Sequence, residues 1–242
     1  MNLANPCFLS NILPTYNERE NLKVIIPRIE ETFKDTAHEI VVVDDNSSDG
    51  TIACVEEMAG RYGNIKLLKR PRKAGIGSAL RDGYNYASGD ILLSSDADLS
   101  FSVDDMLRLV RSIKSGADLV LGCRHDMNGS YYEIKNTRTA IKGLISKLGN
   151  IVLRLLTGTD IHDFSANFRA MKKSAWEALD VRENTNIMLF ETIIKAKFMK
   201  MKIEQLPVAF KDRIYGKSKL RLSVEIPKYT FKMFYYIIRY RF

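Results

Sequence analysis

The chain has 242 residues, 45% hydrophobic and 27% charged, with 37 Lys and Arg against 29 Asp and Glu and a formal net charge of +8. This length supports one full α/β domain and leaves a second cramped, and the balance excludes a disordered polymer. No apolar run of about 18 residues exists, and no basic flank precedes an apolar stretch near the start, so neither a membrane-spanning helix nor a signal peptide is expected.

Strand and helix signals alternate through the first half. An apolar run at Phe8 to Leu13 precedes a helix over Glu20 to Lys34, where Leu22, Ile25, Ile26, Ile29 and Phe33 recur at helical spacing. Strand Glu39 to Val43, helix Thr51 to Arg61, strand Ile65 to Lys69 and helix Gly77 to Ala87 follow. Strand Asp90 to Ser94, helix Val103 to Lys114 and strand Asp118 to Leu121 complete the series. Repeated βαβ units predict a parallel sheet covered by helices on both faces, with ligands outside the carboxyl ends of the strands.

The second half departs from that pattern. Thr137 to Leu156 predicts one amphipathic helix with Ile141, Leu144, Ile145, Leu148, Ile151, Val152 and Leu155 on one face and Lys142, Lys147 and Arg154 beside it. That face suits either packing on the sheet or an interfacial position on a bilayer. Shorter helices are expected at Ser174 to Leu179 and Leu189 to Met199. A strand is expected at Lys202 to Phe210 and a polar loop at Lys211 to Lys219. The tail from Leu222 to Phe242 mixes aromatics with cations, which suits an anionic leaflet or a membrane-protein partner.

Charge is unevenly spread. From Lys195 onward 13 Lys and Arg face three acidic residues, Glu204, Asp212 and Glu225, so this quarter carries +10 and the remainder −2. A uniformly basic nucleic-acid binder would look different, so no nucleic-acid partner is expected. Cys7, Cys54 and Cys123 have neither metal-ligand nor redox spacing and fit core thiols in a reduced, cytoplasmic setting. His38, His125 and His162 form no metal or triad pattern.

The polar clusters fall at the strand ends: Pro14-Thr15-Tyr16-Asn17-Glu18, Asp44-Asp45-Asn46-Ser47, Asp96-Ala97-Asp98 and Gly122-Cys123-Arg124. Two carboxylates one residue apart repel unless a cation or proton lies between them, and a hard divalent ion such as Mg2+ or Mn2+ is the natural occupant. A solvated turn is the plain alternative for Asp96 and Asp98, as helix capping is for Asp49. Asp45 suits contact with a base or ribose. Arg70-Pro71-Arg72-Lys73-Ala74-Gly75-Ile76-Gly77 opens a helix with glycines that let backbone approach an anion. It has neither P-loop nor dinucleotide-fingerprint spacing, so an ATPase and a Rossmann dehydrogenase both lose ground.

Together, Pro14-Thr15-Tyr16-Asn17-Glu18, the run Val42 to Thr51, and Asp96-Ala97-Asp98 resemble the inverting glycosyltransferases of family two. Lys73 to Ala79 and Arg213-x-x-Gly216-x-Ser218-Lys219 resemble, more narrowly, their dolichyl-phosphate mannose synthase branch. The resemblance implies a GT-A fold: an α/β, mostly parallel sheet sandwiched by helices, with a Rossmann-like nucleotide half and amphipathic C-terminal helices. It implies that Pro14, Tyr16, Glu18 and Asp45 hold the nucleoside and that Asp96, Ala97 and Asp98 belong to the metal and diphosphate site. Arg213 and Lys219 would close over the diphosphate. Arg124 and Arg138 would receive the acceptor phosphate, with Lys142 beside them. Two departures stand out. Lys142 replaces a small hydroxyl residue, and Asn167 replaces Gly within Asp163-Phe164-Ser165-Ala166-Asn167-Phe168-Arg169.

The expected organisation is a glycosyltransferase domain over 1–221, with a nucleotide-sugar half (1–125) and an acceptor half (126–221), followed by a membrane-associated tail (222–242). The expected reaction is inverting transfer of a hexose from GDP-mannose or a UDP-hexose to a dolichyl or polyprenyl phosphate, at the cytoplasmic face of a membrane. A phosphomonoester has a second pKa of about 6 and needs no base. A sugar hydroxyl on a growing glycan is the alternative acceptor, with Asp98 as candidate base. A non-catalytic nucleotide-sugar binding protein is the alternative from another class, disfavoured by the intact acidic pair.

Overall fold

The computed structural model describes residues 8–135, 137–213, 215 and 222–240, and the side chains of Arg138 and residues 222–230 also lie outside the described set. Lys219 therefore lies outside the described residues, and Arg138 is placed by its backbone alone.

A seven-stranded sheet forms the centre. In chain order its strands are β1 (Leu9–Thr15), β2 (His38–Asp44), β3 (Ile65–Lys69), β4 (Ile91–Ser94), β5 (Leu119–Cys123), β7 (Arg169–Lys172) and β8 (Ile203–Pro207), and across the sheet they run β3-β2-β1-β4-β7-β5-β8. β1, β2, β3 and β4 are mutually parallel where they pair, and β5 pairs parallel with β8. β7 runs antiparallel to both β4 and β5. The sheet is thus mostly parallel, as expected. The inserted antiparallel strand is new: its four residues are bounded by Arg169 and Lys172, too short and too polar at the ends to show a period.

Helices cover both faces, which explains why the central strands read as continuous apolar runs. On one face α1 (Arg19–Phe33), α2 (Thr51–Tyr62) and α4 (Val103–Lys114) bury Ile25, Ile29, Val55, Leu109 and Ile113 against Leu13, Val42 and Leu93. On the other, α3 (Ile76–Tyr86), α6 (Lys173–Leu179) and α7 (Ile187–Phe198) bury Leu80, Tyr84, Trp176 and Phe190 against Ile12, Val43 and Leu121. Local chemistry sets the boundaries. The Ser102 hydroxyl accepts from the Asp105 N–H at 3.1 Å and caps α4, whose first turn carries Asp104 and Asp105. Gly63 closes α2 at φ 78°.

The strand expected over Lys202 to Phe210 is divided. Val208 is buried at the break, and β9 (Ala209–Phe210) pairs instead with β6 (Tyr131–Tyr132) in a small second sheet.

α5 (Thr137–Thr157) corrects one of the two readings of its apolar face. Ile141, Leu144, Ile145, Leu148, Val152 and Leu155 are exposed, Leu155 to 75%, while Thr139, Gly143, Asn150, Leu153 and Thr157 turn inward. Packing of that stripe on the sheet is excluded. The sheet side already supplies polar partners, and the helix meets them with its polar and small face: Asn150 donates to Asp163 at 3.2 Å and accepts from the Phe164 N–H at 2.9 Å. The tail forms α8 (Leu222–Arg239), which docks on α7 through buried Tyr236 while leaving Phe231 and Ile238 exposed. Among the described residues no helix is long and apolar enough to cross a membrane.

Candidate active site

Strand order reverses between β1 and β4, and open α/β sheets bind ligands beyond the carboxyl ends of the strands at such a point. Register brings the polar clusters together there. Thr15 lies beside Asp44, Ile12 beside Ser94, and the Asp45 N–H donates to the Thr15 carbonyl at 2.9 Å. Pro14 lies opposite Val43 within the sheet, and Tyr16, Asn17 and Glu18 extend past it.

Asp44 and Asp45 divide the work. Asp44 is fully buried and accepts from the Ser47 N–H and hydroxyl, which fixes the turn. Asp45 is engaged by the Arg70 guanidinium and accepts from the Ala74 N–H at 3.2 Å. Arg70 also reaches Ser78 and Asp82 and lines an open cleft of about 610 Å³ with Arg72, Ala74 and Asn184. Arg70 has a role beyond the one expected of its segment. Its signal was the Arg-Pro-Arg run directly after β3. Lys73 stands 4.1 Å over the Tyr16 ring. Asp49 accepts from the Thr51 and Arg19 N–H groups, the helix-end role expected of it. Gly77 has a packing reason rather than a ligand one: an added Cβ would lie 2.0 Å from the Thr185 carbonyl oxygen.

Asp96 and Asp98 follow β4 on a turn in which Leu99 takes φ 63°. Ala97 between them is buried in the core. Asp98 accepts from the Ser100 N–H and hydroxyl and pairs with Arg213, Nη2 to Oδ2 at 2.8 Å. Arg213 also lies 3.7 Å from Glu18. The Arg213 loop is drawn in by backbone contacts. The Lys211 N–H donates to Ser100, the Asp212 N–H to Glu133, and the Tyr215 carbonyl accepts from Asn21. Asp96 accepts from the Asn167 amide at 3.1 Å. Burial, and then the neighbouring Asp98, raise the Asp96 carboxyl to about 7.

That electrostatic state is the test of fit for a divalent ion. A carboxylate raised by desolvation and then by a neighbouring carboxylate is relieved by a shared cation. Among the described residues no group of three or more His, Cys, Asp or Glu is placed to hold a metal. A two-carboxylate site completed by diphosphate oxygens fits Mg2+ or Mn2+ and does not fit a self-contained structural zinc centre.

Arg124, just past β5, is not loose. Its Nε and Nη2 donate to Asp163 at 2.7 and 3.0 Å, Nη2 also reaches Ser165 at 2.7 Å, and the guanidinium lies 5.5 Å from the Phe210 ring. Burial alone would raise the fully buried Asp163 carboxyl, but the Arg124 charge overcomes it and holds the group well below the usual carboxylate range. Asp163, expected only as a member of the stretch Asp163 to Arg169, is the counter-charge of Arg124. Arg138 and Lys142 sit in the first turns of α5, and Ser146 of that helix accepts from Arg124 at 3.3 Å. Burial pushes the Cys123 thiol up, so it behaves as the inert core thiol expected.

A model described as Glycosyl transferase family 2 matches residues 10–179. A dolichol-phosphate mannosyltransferase from Pyrococcus furiosus is 34% identical over 213 residues, 88% of this chain and 59% of that protein. This chain therefore spans little more than half the length of that relative. A polyprenol monophosphomannose synthase from Mycolicibacterium smegmatis is 32% identical over 86% of this chain and 79% of its own length. Among solved structures, the glucosyl-3-phosphoglycerate synthase of Mycobacterium tuberculosis, in complex with Mn2+, UDP and product, gives a TM-score of 0.69 at 17% identity, over 97% of this chain and 80% of that one. A mannosyltransferase from Pyrobaculum calidifontis with GDP-Man and Mn2+ gives 0.63 at 21% identity, over 98% of this chain and 65% of that one. These two show the fold, which is the GT-A arrangement expected. With its family model covering most of the sheet and both acidic strand ends, the chain belongs to glycosyl transferase family 2.

Proposed function

We propose that this chain transfers a hexose, mannose foremost, from a nucleotide sugar to a polyprenyl-type phosphate with inversion at the anomeric carbon. The observation that carries the proposal is the acidic pair Asp96 and Asp98 at the switch point, with Arg213 lying 2.8 Å from Asp98. The names of the two relatives support mannose and a lipid phosphate. The Mn2+ in the two solved neighbours supports a divalent cofactor.

Pro14, Tyr16, Glu18 and Asp45 would hold the nucleoside, with Arg70 giving up part of its contact with Asp45 when a base or ribose arrives. Mg2+ or Mn2+ held by Asp96 and Asp98 would supply positive charge to the departing diphosphate. Arg213, paired with Asp98, would move onto that diphosphate, with Lys219 following it in sequence. Arg124, oriented by Asp163, would take the acceptor phosphate together with Arg138 and Lys142 of α5. Guanidinium groups suit bidentate phosphate contact, and an ionised phosphate oxygen needs positioning rather than a base. We keep the division into a donor half (1–125), an acceptor half (126–221) and a tail (222–242) as part of this proposal.

A peripheral position on the cytoplasmic face of an anionic membrane completes the picture. The exposed stripe of α5 and the exposed aromatics of α8 support it. The test is a screen of radiolabelled GDP-mannose, UDP-glucose and UDP-N-acetylglucosamine with a short polyprenyl phosphate, followed by organic extraction. Labelled lipid from GDP-mannose is expected. Label confined to a water-soluble glycan transfers the acceptor role to a hydroxyl. No product from any donor overturns the proposal.

A further inference from the structure

Asn167 lies in the bend that leads into β7, where it is 4% exposed. Its side chain bridges two elements. Ser94, the last residue of β4, donates its hydroxyl to Asn167 Oδ1 at 2.9 Å, and Asn167 Nδ2 donates to Asp96 Oδ1 at 3.1 Å. The Tyr84 hydroxyl donates to Ser94 Oγ at 2.6 Å. A serine hydroxyl has one proton. Because Ser94 accepts from Tyr84, that proton goes to Asn167, and the amide must turn its oxygen toward Ser94 and its nitrogen toward Asp96.

The polarity therefore runs one way, from Tyr84 through Ser94 and Asn167 to Asp96. Tyr84 is fully buried on α3, its ring centroid 4.8 Å from that of Trp176 and tilted 55° to it, so the chain is anchored in the core. Among the described residues Asn167 is the one hydrogen-bond donor to the Asp96 carboxylate. It occupies Oδ1 and leaves Oδ2 for a ligand. An oriented carboxylate binds a cation better than a rotating one, because the second contact removes the cost of ordering it.

We propose that Asn167 is a positioning residue for Asp96: it fixes the carboxylate so that one oxygen faces the divalent ion. The inference rests on the metal reading of Asp96 and Asp98, and the test separates the two. Mn2+ binding to the full chain is followed by electron paramagnetic resonance at saturating UDP and, separately, GDP. Asn167→Ala is expected to weaken Mn2+ binding by about 10- to 100-fold, while nucleotide affinity measured in EDTA stays within about twofold. Under subsaturating Mn2+, kcat should fall without a matching rise in the acceptor KM, and added Mn2+ should restore it.

Ser94→Ala releases only the far end of the amide, so a smaller loss of the same kind is expected. This variant also decides the matter should Asn167→Ala fail to fold. Unchanged Mn2+ affinity in the folded variants, with a parent chain that binds Mn2+, overturns the positioning role alone. A parent chain that binds no Mn2+ with either nucleotide overturns the metal reading and this inference with it.

Discussion

Two carboxylates at the site are shifted in opposite directions, and the signs make them separable. Asp163 is held below the usual carboxylate range by Arg124. A depressed pKa contributes stability above the unfolded value of about 3.9 and loses it as pH falls below. Asp163→Asn should cost about 3–5 kcal/mol in urea unfolding at neutral pH, because Arg124 is left buried without its counter-charge. Asp96 behaves in reverse. Raised to about 7, it binds a proton in the folded chain that the unfolded chain has released. Without metal, stability should therefore decline as pH rises from about 4 to about 7, and Asp96→Asn should flatten that decline. A melting series across pH checks both slopes. The acidic pair was legible because its members are neighbours in sequence. Asp163, Arg70 and the orientation of Asn167 were not, because each acts through a partner from a distant segment.

Among the elements, α5 holds the clearest lesson. Its periodicity predicts the helix, but periodicity gives only the width of a stripe and not what the stripe faces. The fold places Asn150, Gly143 and Leu153 against the body and turns the apolar stripe outward. Paired Leu148→Ser and Leu155→Ser substitutions should change unfolding by no more than about 0.5 kcal/mol, whereas Leu153→Ala should cost about 2–5 kcal/mol. The exposed pair should also lower retention on anionic liposomes in flotation. Equal flotation of parent and variant would remove α5 from the membrane argument and leave a protein partner as the occupant of the stripe. β7 is not legible in the sequence for a related reason: strand pairing supplies what its own four residues do not encode.

For the molecule as a whole, charge and docking act together. The quarter from Lys195 onward carries +10 against a body at −2. Retention on anionic vesicles should fall steeply between about 0.05 and 0.5 M salt, and neutral vesicles should retain less at any salt. Salt-independent retention would assign binding to the apolar stripe alone. The tail is not a detachable anchor, because α8 buries Tyr236 on α7 and pairs Lys232 with Glu183. Truncation at Leu222 would bare α7, so Phe231→Ser with Ile238→Ser is the cleaner probe of its outer face.

The sequence by itself determined the βαβ order, the mostly parallel sheet, the polar strand ends and the Asp96-Ala97-Asp98 pair. These depend on local propensity, periodicity and neighbouring residues, all of which are written along the chain. The tertiary structure alone decided that β7 enters antiparallel between β4 and β5, that α5 faces outward, and that Arg213 reaches Asp98 while Asp163 claims Arg124. Those outcomes depend on which distant groups meet in a low-dielectric interior. There, an unpaired charge or unsatisfied amide costs more than local preference can offset.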